Sequence, residues 1–226
     1  ELNPTNSNIR SVIIDKNHLI PERQLSNNSY SFQNRFLKNN LKFRLFQDIP
    51  KSGSSILLAS PELGYNLYDG FITAINLGNS SLLAEKIKFK INPSYGTLSN
   101  KLNGLGYLIY SKYKNDSSNY MTRLSVFGSS FHYADNSRYI SLNPSLKYFF
   151  RSNGLKDNLR SSLTFKHTSI RLHNKSENSD RKSYVVTSVS YQKNSGNALK
   201  NIFINSEVQL ASRFKKIKAE TELVKY

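Results

Sequence analysis

Four histidines, His18, His132, His167 and His173, are the side chains best suited to hold a metal or move a proton, and no cysteine accompanies them. A zinc site of the HExxH type needs a glutamate straight after its first histidine. No histidine here is followed by one, and a thiolate site is impossible without cysteine. His167 and His173 have even spacing and could share one face of a strand, yet a third ligand is missing. Glu220 and Glu222 fall on one side of an extended segment and imitate a carboxylate pair. On a face that also carries Lys216 and Lys218 they read as neutralising partners. Asp69-Gly70 and Gly104-x-Gly106 look like pieces of a phosphate loop, but no Walker loop, dinucleotide fingerprint or Gly-x-Ser-x-Gly elbow is present. Glycine at such places serves a turn or a close backbone approach. The sequence therefore predicts no catalytic residue, no cofactor-binding residue and no metal ligand, and the chain reads as non-enzymatic.

Charge and composition limit what else it can be. The formal charge is +17, from 32 Lys and Arg against 15 Asp and Glu. An excess of this size can signal nucleic acid or an anionic surface. The lysines are scattered singly and no nucleic-acid fold motif occurs, so a soluble basic β-sheet protein that binds nucleic acid through aromatic and lysine side chains stands as an alternative, and nucleic acid is not the expected partner. Hydrophobic residues make up 38% of the chain while aromatics reach 12%. Disordered chains are poor in aromatics, so this one is expected to fold. No run of about 18 apolar residues exists, which excludes a transmembrane helix and leaves strands as the only way to cross a bilayer. The only methionine is Met121, so Glu1 is no initiator and a processed product or internal fragment is expected.

The elements that must carry these residues show a period of two. Residues 1–40 are polar and turn-rich and read as an irregular connector, in which 12–14 and 19–20 are short apolar pieces. Residues 41–226 read as one β domain. LKFRLF at 41–46 alternates as a first strand, a turn is expected at 50–53, and SSILLAS reads as a short second strand ending at Pro61. Phe71, Thr73, Ile75 and Leu77 share a face, and Ile87, Phe89, Ile91 and Pro93 alternate with Lys86, Lys88, Lys90 and Asn92. No helix could hold those four polar positions on one side. Further on, Ile140, Leu142, Pro144, Leu146, Tyr148 and Phe150 alternate with Ser141, Asn143, Ser145 and Lys147. Leu105, Tyr107 and Ile109 are an expected outward set, opposed by Gly106, Leu108, Tyr110 and Lys112. In the strand after it, Leu124 and Val126 lie on one parity and Phe127, Phe131 and Tyr133 on the other, which leaves its facing open. Short polar connections should reverse the chain each time and give an antiparallel meander.

Strand length and the polar second face argue for a membrane wall. Soluble strands average about 5 to 6 residues, whereas a tilted strand crossing hydrocarbon needs about 9 to 11. A soluble barrel would fill its interior with aliphatics, but here the second face carries Lys, Arg, Ser, Asn, Thr and Glu, as in an outer-membrane β-barrel of roughly 10 to 12 strands. Its expected lumen-facing residues are Lys86, Lys88, Lys90, Lys147, Arg160, Lys166, Glu207, Lys218, Glu220 and Glu222. Outer-membrane lipid is then the partner and the cell outer membrane the location. A porin-like barrel that passes or binds anionic solutes is a second reading of the same pattern.

The string Pro61-x-x-Gly64-Tyr65-Asn66-x-Tyr68-Asp69-Gly70, followed by Leu77-Gly78-Asn79, Pro93-x-Tyr95-Gly96 and Leu102-x-Gly104-x-Gly106, resembles the start of the C-terminal barrel in large Bacteroidetes metallopeptidases of the aminopeptidase N (gluzincin) type. The resemblance covers about residues 61–106. It implies an anchoring domain covalently linked to an upstream peptidase domain, with zinc, HExxH and a distal glutamate lying before Glu1. It carries no catalytic residue onto this chain.

Overall fold

Strands dominate because nearly every segment alternates small polar with larger apolar residues, a pattern that only a pleated ribbon sorts onto two sides. The computed structural model describes residues 11–17, 19–20, 28–31, 40–45, 54–79, 86–114, 118–134, 137–151, 159–174, 182–196 and 200–225. His18, Phe46, the turn expected at 50–53, residues 115–117, 135–136, 152–158, 175–181 and 197–199 of the short polar connections, and Tyr226 lie outside the described residues.

Two short strands, β1 (Ser11–Ile13) and β2 (Ser29–Ser31), form a separate antiparallel pair within the expected connector. The Asp15 carboxylate accepts from the amides of Leu19 and Ile20, each at 2.9 Å, closing a small turn after β1. All remaining strands belong to one eleven-stranded sheet: β3 (Asn40–Leu45), β4 (Ser54–Asn66), β5 (Gly70–Gly78), β6 (Ile87–Gly96), β7 (Lys101–Tyr113), β8 (Asn119–Ala134), β9 (Ser137–Arg151), β10 (Arg160–Asn174), β11 (Lys182–Gly196), β12 (Lys200–Ala211) and β13 (Lys215–Lys225). The spatial order follows the chain order from one edge to the other, and every neighbouring pair from β4 to β13 is antiparallel. The fold is thus all-β and a meander, as expected.

Two details depart from the expected pattern. The first pair, β3 with β4, runs parallel, not antiparallel. The second is that β4 does not stop at Pro61 but continues through it to Asn66. Proline lacks an amide to donate and is tolerated where a strand has a free side. β3 ends opposite Ala59, so beyond that point β4 is an edge and the missing amide leaves no partner wanting.

Prolines inside the sheet leave visible gaps. The β5–β6 ladder skips Ile75 and Asn76, the residues facing Asn92 and Pro93, and the β9–β10 ladder skips His167 and Thr168, which face Asn143 and Pro144. At the first gap side chains take over. Asn92 Nδ2 donates to Asn76 Oδ1 and to Glu62 Oε2, both at 2.7 Å, and Asn76 Nδ2 donates to the same Glu62 oxygen at 2.6 Å.

Candidate functional site

Directly opposed residues of a ladder share a face, and the face alternates at each step along a strand. One row therefore runs Ile87, Tyr110, Leu124, Leu146, Phe165, Val189, Val208 and Ile217, from β6 to β13. The next row, on the other face, runs Lys88, Ile109, Ser125, Ser145, Lys166, Ser188, Gln209 and Lys216. The sheet thus has one continuous apolar face and one polar face. Burial is the reverse of a soluble protein. Among the described residues only Ala59 and Met121 are buried hydrophobics, while Asn92, Ser94, Ser111, Ser125, Ser141, Ser162 and Ser188 are buried and polar. Of the apolar row, all but Leu146 are exposed.

The ladders place the predicted polar residues together. Lys88, Lys90, Lys147, Arg160, Lys166, Glu207, Lys218, Glu220 and Glu222 all share the polar face, and Lys86 precedes β6 in the same alternation. Lys218 pairs with Glu220, and Asn205 Nδ2 donates to Glu220 at 3.1 Å. The open facing of the middle strands is resolved too. Leu124 and Val126 are on the apolar face, whereas Phe127 and Phe131 lie on the polar face, where they meet Tyr107 at 5.7 Å and Tyr139 at 4.9 Å between ring centroids. Leu105, Tyr107 and Ile109, expected as an outward set, instead take the polar face because the ladder pairs them with Asn92, Lys90 and Lys88, and Leu108 and Tyr110 take the apolar one.

The motif that opens with Pro61 builds the tightest cluster of the molecule. Pro61, Gly64 and Tyr65 lie along β4, where Tyr65 sits edge-on to Phe71 with centroids 5.4 Å apart. Asn66 ends the strand with its Oδ1 accepting from the amides of Tyr68 at 2.9 Å and Asp69 at 2.6 Å, an Asx turn that sets the corner. Tyr68 is exposed, and Gly70 resumes the chain at φ 70, a backbone that favours glycine. Asp69 is only 1% exposed.

Four side chains converge on the Asp69 carboxylate. Ser99 Oγ donates to Oδ1 at 2.6 Å, Asn103 Nδ2 at 2.9 Å, and His132 Nδ1 at 2.7 Å, while Asn66 Nδ2 donates to Oδ2 at 3.1 Å. An ionised carboxylate only accepts, so the imidazole proton facing it sits on Nδ1. Burial pushes the Asp69 carboxyl up, but the bonds from Ser99, Asn66, His132 and Asn103 outweigh it and hold it below the usual carboxylate range. Gly96 makes room: a Cβ there would stand 2.7 Å from that of Asp69. The cluster ties the turn at 67–69 to the turn at 97–100, where Leu98 N donates to Asp69 O at 2.8 Å, and reaches β8 across 63 residues of sequence.

Serine, histidine and aspartate invite comparison with a hydrolase triad, and the geometry refuses it. In a triad the serine bonds the imidazole nitrogen remote from the carboxylate. Here Ser99 and His132 both bond the same oxygen of Asp69, so no base stands behind the hydroxyl. The arrangement is a clamp. Beside it β7 and β8 part beyond Gly104 and Ser130, and Arg138 spans the split, with Nε donating to Ser130 Oγ at 2.8 Å and an Nη to the Leu102 carbonyl at 2.6 Å. Among the described residues no three His, Asp or Glu side chains gather to hold a metal, and His167 contacts only Thr187, at 3.0 Å, among the hydrogen bonds described.

Sequence reasoning found the motif and missed its partners. His132 and Asn103 meet Asp69 only because the meander register lays β7 and β8 beside the turn; the Gly70 and Gly96 positions were the available signal. Comparison of this chain with protein-family models, with curated proteins and with solved structures finds no match.

Proposed function

We propose that this chain is the wall of a membrane-spanning β-barrel that anchors its protein in an outer membrane. The observation that carries the reading is the inverted distribution of polarity: a continuous exposed apolar face, with serine and asparagine buried behind it. Outside a bilayer such a face would leave water in contact with a large apolar surface; against lipid it is the favourable side. Strands β7 to β11 are each longer than the roughly 9 to 11 residues that a tilted crossing requires. Closing the wall brings β13 against β3. Because β13 runs opposite to β4, and β3 parallels β4, that seam is antiparallel and pairs the outer edges of β3 and β13. Extraction from membranes only by detergent, with heat-modifiable migration on gels, is the expected behaviour. A monodisperse chain in plain buffer overturns the reading.

The resemblance of residues 61–106 to barrels of aminopeptidase N-type metallopeptidases extends it to a role: the barrel holds a zinc peptidase at the membrane. Among the described residues no group of three His, Asp or Glu fits the zinc, which on this reading belongs to an upstream domain, and no catalytic step is assigned here. The test is the coding sequence before Glu1, where HExxH followed by a distal glutamate is expected; a different domain there removes the peptidase link and leaves the barrel.

One observation favours passage or binding of anions as a second reading. Arg123 and Lys147 face each other across β8 and β9, and both lie over the Phe149 ring, at 5.2 and 5.0 Å from its centroid. Like charges directly opposite are unfavourable unless something else compensates them. An anion on the polar face would do so. Bilayer recordings are expected to show anion selectivity that Arg123→Glu reverses; a selectivity indifferent to that change refutes the reading.

A further inference from the structure

At the end of the sheet beside the Asp69 clamp lies a cleft of about 600 Å³, lined by Lys101, His132, Arg138, Arg171 and His173 with Ile140 on its inner side. The ladders order these residues by depth. His132, Arg138 and His173 form one row across β8, β9 and β10; Ile140 and Arg171 form the next row on the same face, and Leu142 and Val185, opposite Ser169, belong to the row after that. Successive rows on one face are two residues apart, roughly 7 Å along a strand. From the rim inward these rows pass from cationic to mixed to apolar on the apolar face of the sheet; Lys101 and Leu172, which also line the cleft, carry the parity of the polar face.

Among the described residues no carboxylate lines the cleft. Arg138 is held by two neutral acceptors, Ser130 Oγ and the Leu102 carbonyl, which fix the guanidinium without neutralising it. Among the described residues no ion pair engages Lys101, Arg138 or Arg171. Asp69, which bonds His132, is already occupied by its donors.

We propose that this cleft binds the phosphate of an anionic lipid headgroup, with Arg138 and Arg171 around the phosphate and with Ile140 and Leu142 beneath the acyl chain. A free phosphate shares the chemistry of the cations but makes no use of the apolar rows below them, which is why the lipid is the occupant. The proposal rests on the reading of the apolar face as lipid-facing.

The experiment uses the full chain in nanodiscs of phosphatidylcholine doped with phosphatidylglycerol, with co-purifying lipid counted by native mass spectrometry. The unaltered chain is expected to enrich phosphatidylglycerol, and Arg138→Gln with Arg171→Gln to lower that enrichment by roughly 30-fold, as two cations near a membrane surface should. Arg171→Lys alone, which keeps the charge, is expected to retain most of it. Heat-modifiable migration shows for each variant that the barrel has formed. An inserted chain without preference, or a double variant that enriches the lipid as before, overturns the proposal alone. Inorganic phosphate that binds as tightly without lipid, and displaces the lipid, also overturns it. A chain that does not insert at all overturns the barrel reading and this proposal with it.

Discussion

Arginine substituted at two adjacent positions of β11 separates a lipid-facing wall from every other explanation of the same alternation. Val189 lies midway along the strand, between Phe165 and Val208 on the apolar face. Ser190 lies between Thr164 and Glu207 on the polar face. Val189→Arg puts a charge into hydrocarbon near the middle of the crossing, at a cost of about 2–4 kcal/mol. Ser190→Arg meets the Glu207 carboxylate across the strand pair, which contributes about 0.2–1 kcal/mol and roughly offsets the entropy of holding a long side chain. The two variants should therefore differ by at least about 2 kcal/mol, near 30-fold in the folding equilibrium. Urea titration in lipid vesicles, followed by heat-modifiable gel migration, reads this difference. Equal destabilisation, or a larger loss for Ser190→Arg, would refute the assignment of the faces.

The Asp69 clamp yields two further expectations. Asp69→Ala leaves Ser99, Asn103, His132 and Asn66 facing an empty centre and should cost about 3–5 kcal/mol in the same unfolding assay, the usual penalty for removing one partner of a buried polar cluster; an effect below about 1 kcal/mol would mean the cluster does not hold the turns. Because its folded carboxyl lies below the ordinary value of about 3.9, Asp69 contributes stability that is complete above that value and is lost as pH falls through the folded one. The stability gap between the unaltered chain and Asp69→Asn should accordingly be constant above about pH 5 and close in more acid buffer; a gap that widens there would contradict the ionised clamp. Gly96→Ala drives a Cβ to 2.7 Å from Asp69 and should cost about 1–3 kcal/mol, whereas Gly64→Ala, with its nearest neighbour at 3.9 Å, should be nearly neutral.

Strand order and alternation were legible because a period of two needs nothing beyond neighbouring residues. The polar set from Lys86 to Glu222 could be read in the same way, since parity within a strand determines which side chains go together. What escaped depends on contacts between distant segments. Leu105, Tyr107, Phe127 and Phe131 are large and apolar and yet belong to the polar face, a fact that only the ladders joining β6 through β9 decide. Pro61 reads as a strand terminator until β3 is seen to end opposite Ala59, leaving β4 a free side on which proline does no harm. The parallel pairing of β3 is a tertiary choice with no local signature. His132 carries no local sign of its role, because nothing in the alternation of β8 announces a buried carboxylate brought to it from the β4–β5 corner.

The central claim, that one face of the sheet meets lipid, is tested most directly by single nitroxide labels at positions 185 to 192 in lipid vesicles. The absence of native cysteine makes each labelled site unique. The account predicts strict alternation: Val185, Thr187, Val189 and Tyr191 accessible to oxygen in the bilayer, and Val186, Ser188, Ser190 and Gln192 shielded from it and closer to a water-soluble relaxation agent. Odd positions inaccessible to oxygen, as for a sheet covered by another protein, or accessibility that does not alternate at all, would contradict it.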